Sequence, residues 1–529
     1  MTPTAGPPDA PTVAVIGGGM AGLAAAWELV TGDPPCRVVL IEGSERLGGK
    51  IGTESFAGLD LDTGPDSFLA RVPAATDLAR EAGLGDDLIA PGTGQAYLWA
   101  RGRLRALPTG LVLGVPADPV ALARSDALPR AAVARAALDL VLPGEPVPAD
   151  EDVSVGALIR RRMGRGVQLG LVDPLLGGIN AGHTDDLSAA VAAPPLLAAG
   201  RRDRSLMRGL RAAGVRGTAS GAVVARPTGE PSITPRTVGG STTAPAGGGG
   251  GEGGAVQPPS PGPSPVFLTV RGGLGRLVDA LAARIASGGE VIVGHRALAV
   301  ESDGQRWVIQ LAGGRQVHAD AVVMAAPAPA AADLLRALCP AASAALAAIE
   351  SASVVLTVMS YATASATRPL VGSGFLVPRA EGRLLTAASW VGTKWPHLSQ
   401  PDRIVVRASA GRIDDRRPLE VDDTELVERL HGELAEAMGL RQRPLDVAVH
   451  RWADAFPQFA VGHLQRIAEA ERRLAVDAPG IFLAGAALRG VGLATIVAGA
   501  RLGAGAARAY ARRSAVPPAI GGSGPRSTD

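Results

Sequence analysis

Lysine is almost missing from this chain. Of its 52 basic residues only Lys50 and Lys394 are lysines, and 50 acidic residues bring the net charge to +2. Charge this balanced excludes the basic surface that neutralises phosphates, so nucleic acid is not expected as a partner. Cysteine is as scarce: Cys36 and Cys339 lie 303 positions apart and match no disulfide framework, dithiol motif or metal-ligand spacing. A reducing, cytoplasmic compartment is expected, and no metal. Aromatic residues make up 3% of the chain, with tyrosine only at Tyr97, Tyr361 and Tyr510. No apolar run reaches the roughly 18 residues of a spanning helix, and no basic segment precedes an apolar one at the amino end. Peripheral membrane contact stays open for residues 107–145, although Arg124, Arg130 and Arg135 interrupt that stretch.

What is abundant is glycine and proline, 70 and 42 residues. Residues 217–265 hold 13 Gly and 9 Pro in 49 positions, without Leu, Met or any aromatic. Such a segment cannot bury enough apolar surface to offset its ordering entropy, so it reads as a disordered insert without chemistry. Residues 1–11 and 515–529 read as flexible tails. Roughly 455 residues remain, ample for two or three domains with real cores.

The amino end carries the first chemical signal. A β-branched run, TVAVI (12–16), leads into Gly17-Gly18-Gly19-Met20-Ala21-Gly22, an apolar helix pattern follows, and a second run, RVVLI (37–41), ends in Glu42. Strand, glycine turn, helix and strand with an acid at this spacing make a dinucleotide-binding βαβ unit. Gly17 permits the tight turn, Gly19 lets a pyrophosphate approach the positive end of the helix, and Gly22 allows close helix packing. Glu42 can accept from a ribose hydroxyl.

The next segment, Glu42-Gly43-Ser44-Glu45-Arg46-Leu47-Gly48-Gly49-Lys50, resembles the E-x-x-x-R-x-G-G-[KR] continuation of amine-oxidase-like flavoproteins. That resemblance implies non-covalent FAD, with Gly43, Arg46, Gly49 and Lys50 around the diphosphate. Further on, LDLDTGPDSFLAR (59–71), GINAGHTDDLS (178–188), VRGGLGRLVDAL (270–281), SWVGTKWPH (389–397), RWADAFPQFAVGH (451–463) and PGIFLAGAALRGVGLATIVAGA (479–500) follow in order. This collinear set resembles the bacterial protoporphyrinogen and coproporphyrinogen III oxidases over nearly all of the foldable chain. Both lysines fall inside its motifs.

The resemblance implies an α/β fold: a Rossmann-like FAD-binding domain (12–105 with 266–335 and 470–513), an inserted helical domain (106–216) and a mixed-sheet substrate-binding domain (336–469). It places Gly64, Pro65, Asp66 and Ser67 against the flavin, the backbone of Ala297 at the adenine, Trp452 near the cofactor, and Val491, Gly492 and Leu493 at the flavin pyrimidine. The implied reaction is oxidation of a porphyrinogen in three two-electron cycles, with molecular oxygen as acceptor and peroxide released. Arg71 is the candidate propionate clamp, because guanidinium binds carboxylate as a fork. His183 and His463 are given no catalytic role, and no nucleophile or acid–base residue is assigned. Coproporphyrinogen III is the favoured substrate, with protoporphyrinogen IX as the alternative. Transfer of product to a ferrochelatase and the oligomeric state are left open.

Two departures stand out: Asn180 where the family pattern has an aromatic, and Leu493-Ala494-Thr495-Ile496 in place of I-P-D-C-I. They keep a non-catalytic porphyrin-binding flavoprotein in play. An amine oxidase or a carotenoid desaturase would share the FAD architecture but would leave GPDSF and KWPH unexplained.

Overall fold

The run TVAVI is buried at every position because it is a central strand with parallel neighbours on both sides. In this computed structural model, which describes residues 10–142, 144–213, 216–217, 223–224 and 265–515, a five-stranded sheet runs in the order Glu290–Ile292, Arg37–Ile41, Thr12–Ile16, Ala321–Met324, Ile481–Leu483. All its pairings are parallel. Helices Met20–Thr31, Gly275–Gly288 and Leu493–Ala515 cover one face through Leu23, Leu29, Leu277, Leu281 and Val497. The other face carries a three-stranded sheet together with Ala328–Leu335, Pro340–Ala347 and His463–Asp477. This is the expected doubly wound layer, assembled from three separate stretches of chain.

A seven-stranded mixed sheet forms the second layer, in the order Asp446–Pro457, Ser351–Ala362, Arg403–Ala410, Leu385–Trp390, Gly374–Leu376, Tyr97–Ala100, Arg103–Ala106. Helix Asp423–Met438 closes one of its faces. Its Leu426, Leu430 and Leu434 recur every four residues and pack on Val355, Met359, Phe375 and Val406. The Asp422 side chain accepts from the Glu425 N–H (2.9 Å) at one end, and Gly439 in the left-handed region stops the helix at the other. The intervening helical section has its own core around Leu158, Ile159, Leu196 and Leu210.

Three expected boundaries move. The hairpin 97–106, divided by the expected boundary at 105/106, belongs to the seven-stranded sheet, because Tyr97 and Leu98 pair with Phe375 and Leu376. Pro11 is buried and its carbonyl accepts from the Arg37 N–H, so the ordered chain begins before Thr12. Arg216–Gly217 pairs antiparallel with Val223–Val224, so strand residues Gly217, Val223 and Val224 fall within the expected insert. Residues 218–222 and 225–264 of the expected insert lie outside the described residues, as do 1–9, 143, 214–215 and 516–529.

Candidate functional site

The glycine turn sits at the carboxyl ends of the parallel strands, where α/β sheets receive ligands. Gly17 has φ +108°, and a Cβ there would lie 2.7 Å from the Ala325 backbone. At Gly22 a Cβ would stand 1.7 Å from the Gly17 carbonyl oxygen, so the helix can seat on the turn only without a side chain. The front of the turn is open by contrast: the nearest atom to a Cβ at Gly19 would be the Gly49 Cα, 4.0 Å away. Met20 and Ala21 begin the helix, which has no side-chain cap, so its first N–H groups are left for an anion. A dinucleotide phosphate fits this cradle.

Glu42 takes the Gly18 N–H at 2.6 Å and the Ser44 N–H and hydroxyl at 2.8 Å each. About one acceptor site of its carboxylate remains for a ribose hydroxyl. The same end gathers Gly43 and Ala297, the latter expected at the adenine. His295 N–H donates to the Glu42 carbonyl, a Cβ at Gly43 would lie 3.4 Å from the Arg296 Cα, and Ala297 follows as the first residue of its strand.

Arg46, expected at the diphosphate, braces the backbone of its own loop. Its guanidinium donates to the carbonyls of Leu47, Gly49 and Ile51, tying down the Gly48–Lys50 bend. Gly48 forms a bridge to Gly19, and Lys50 lies open to solvent. Protein packed around Lys50 nevertheless lowers its ammonium pKa by desolvation. Solvent-open and walled in together describe a cleft lining.

The GPDSF loop packs on that bend, since a Cβ at Gly64 would sit 2.1 Å from the Lys50 carbonyl oxygen. Trp452, reaching from the larger sheet, donates its indole N–H to the Thr63 carbonyl (2.9 Å). Asp66 behaves unexpectedly. Its carboxylate accepts from Lys394 Nζ (2.7 and 3.0 Å), Trp395 Nε1 (3.2 Å) and Ser67 Oγ (3.0 Å) and forms an ion pair with Arg407 Nη1 (2.9 Å). Burial would raise its pKa, but Lys394 and Arg407 outweigh burial and hold it well below the usual carboxylate range. For a ligand, the backbone of Gly64, Pro65 and Asp66 is what the loop can offer.

Arg407 is the residue the sequence reading missed. It is 8% exposed within the strand Arg403–Ala410, and its Nη2 also donates to the Gly64 carbonyl. One arginine among 50 gives no signal, although a charge inside the run IVVRASA was a trace of it. Asp62, two residues before Gly64, is pushed up to about 6 by burial, against the lowering effect of its Thr53 hydrogen bond and of Arg407. A cavity of about 20 Å³, the size of a single water, lies between Asp62, Asp66, His397 and Arg407.

Beyond the loop, Arg71 is exposed, and partial burial lowers its pKa. Val491 and Gly492 lead into helix Leu493–Ala515, and Leu493 packs in the same core as Phe68. His463 is 1% exposed, with Nε2 3.0 Å from the Leu488 carbonyl, a structural tie to the turn before Val491. His183 Nδ1 accepts from the Asp185 N–H and lies 3.8 Å from its carboxylate, a local pairing the sequence did not reveal. Asn180 is buried and donates to the Leu176 carbonyl. Among the described residues no cluster of metal ligands occurs, and no helix is long and apolar enough to cross a membrane.

Comparison with known proteins agrees with this geometry. Residues 20–509 match the family described as flavin containing amine oxidoreductase. A coproporphyrinogen III oxidase of Propionibacterium freudenreichii is 34% identical over 94% of this chain and 92% of its own length. The coproporphyrinogen III oxidase of Bacillus subtilis is 30% identical over 91% of this chain and 94% of its own. A crystal structure from Exiguobacterium, provisionally named a protoporphyrinogen oxidase, superposes with a TM-score of 0.77 at 28% identity, covering 94% of this chain and 99% of that one. The protein is an FAD-dependent member of the flavin containing amine oxidoreductase family.

Proposed function

We propose that the protein oxidises coproporphyrinogen III to coproporphyrin III with oxygen as the acceptor. The observation that carries this reading is the match to coproporphyrinogen III oxidases along more than nine-tenths of the chain. Six electrons and six protons leave the tetrapyrrole, and three molecules of oxygen take them up as three of hydrogen peroxide. Bound FAD would supply the two-electron acceptor for each cycle. The chain's own contribution is to bind, orient and exclude water. Gly17–Gly22, Glu42, Gly43, Gly49, Lys50 and Ala297 would hold the nucleotide. Gly64, Pro65, Ser67, Trp452, Val491, Gly492 and Leu493 would border the flavin, the last three with a helix N-terminus suited to negative charge. Arg71 would clamp a propionate.

In this reading the dinucleotide layer and the seven-stranded sheet, now including 97–106, are the FAD-binding and substrate-binding units. The helical section 106–216 would be the membrane-proximal one, supported by the exposed Val120, Leu138, Val141 and Leu142. Hand-over to a ferrochelatase fits the product.

A second reading, protoporphyrinogen IX as substrate, is favoured by the provisional name of the Exiguobacterium structure. The two are separated by kcat/KM of the FAD-loaded protein on each porphyrinogen, read from porphyrin fluorescence. Preference for coproporphyrinogen III is expected, and preference for protoporphyrinogen IX would reverse the assignment.

A further inference from the structure

Lys394 is one of only two lysines, lies 328 positions from Asp66, and yet bonds both of its carboxylate oxygens. We propose that Lys394 and Arg407 are positioning residues that clamp the loop of Gly64 to Ser67, through Asp66, onto the seven-stranded sheet. The loop is then set for the cofactor only while the two layers are docked. The link to FAD rests on the reading above; the clamp itself rests on geometry.

Four side chains of the sheet unit, those of Lys394, Trp395, Arg407 and Trp452, reach across to this one loop. Lys394 and Arg407 take the Asp66 carboxylate, Arg407 also takes the Gly64 carbonyl, and Trp452 takes the Thr63 carbonyl. On its other side the loop rests on the Lys50 carbonyl, and through Gly48 on Gly19, so a shift of the loop is felt at the phosphate cradle. The clamp is largely dry: the side chains of Asp66, Lys394 and Arg407 are 18, 20 and 9% exposed. A buried carboxylate that loses a cation is left uncompensated, which is far costlier than losing a surface pair. The ammonium suits its place because it is compact, meets both carboxylate oxygens, and lies 5.2 Å from the Trp395 ring centroid.

A pair that merely glued two layers together would lower global stability without singling out the loop. The test therefore follows the loop directly, in the full chain, with K394M, K394R, D66N and the K394M/D66N double variant. FAD affinity is read by flavin fluorescence on adding FAD to the stripped protein, and hydrogen exchange is read at the amides of Thr63, Gly64, Asp66 and Ser67 against those of Thr12–Ile16. K394M and D66N should each weaken FAD binding about tenfold or more and speed exchange in the loop, with the strand unchanged. The double variant should be no worse than K394M alone, and K394R should recover part of the loss. FAD affinity and loop exchange within twofold of wild type in D66N and in K394M overturn the clamp, as does strict additivity in the double variant. Should K394M fail to fold, the isosteric D66N decides by the same readouts. A wild-type chain that takes up no FAD would instead sink the flavin reading, and loop exchange would still judge the clamp.

Discussion

At the scale of single residues, charge placement sets the measurable behaviour. Asp62 has its carboxyl raised to about 6 from an ordinary 3.8, chiefly by burial. The folded state therefore holds that proton more tightly than the unfolded chain does. The stabilisation is complete below about pH 4 and is lost as pH rises through 6. Asn at this position keeps an acceptor for Thr53 and the Leu274 N–H but carries no charge. Asp62→Asn should flatten the dependence of stability on pH between 4 and 7 and stabilise the protein above pH 7, by up to about 3 kcal/mol. Denaturant midpoints across that range check it, and an unchanged slope would refute it. Asp66 works in the opposite sense, contributing above the ordinary carboxylate range and losing that contribution only in strong acid. Arg71→Ala should raise the KM for porphyrinogen while FAD content stays intact; unchanged turnover and KM would remove Arg71 from the substrate site.

At the scale of elements, the βαβ unit was fully legible. Its strands, turn and helix are contiguous, so local pattern decides them, and Thr12–Ile16, Met20–Thr31 and Arg37–Ile41 lie where the motif put them. Gly22→Ala tests the unit, because a methyl at that position meets the Gly17 carbonyl oxygen. It should cost about 3 kcal/mol and abolish flavin absorbance in the purified protein. A yellow variant of normal stability would show that the helix does not need this close seat. The hairpin 97–106 was not legible in the same way. Short alternating strands announce themselves but not their sheet, and only the parallel pairing of Tyr97 with Phe375 assigns this one.

For the molecule as a whole, the two layers are built from chain segments that interleave, which makes their docking one cooperative event. Residues 225–264 have the composition of a segment that buries little. Lengthening or shortening such a loop costs only the slowly varying entropy of closure. Replacing 225–264 by a short Gly/Ser linker should leave FAD content, kcat and Tm near wild type, and a well-folded but inactive product would give the insert a function.

The sequence by itself determined the dinucleotide layer and the family resemblance, because short-range spacing and collinear motifs carry that information. Only the tertiary structure decided the partners of Arg46, Asp66, Lys394 and Arg407. Asp66 and its two cations are more than 300 residues apart and meet through packing of two sheets, and a buried ion pair leaves no periodic mark along the chain. The near-absence of lysine made Lys394 conspicuous; the fold supplied the carboxylate it answers.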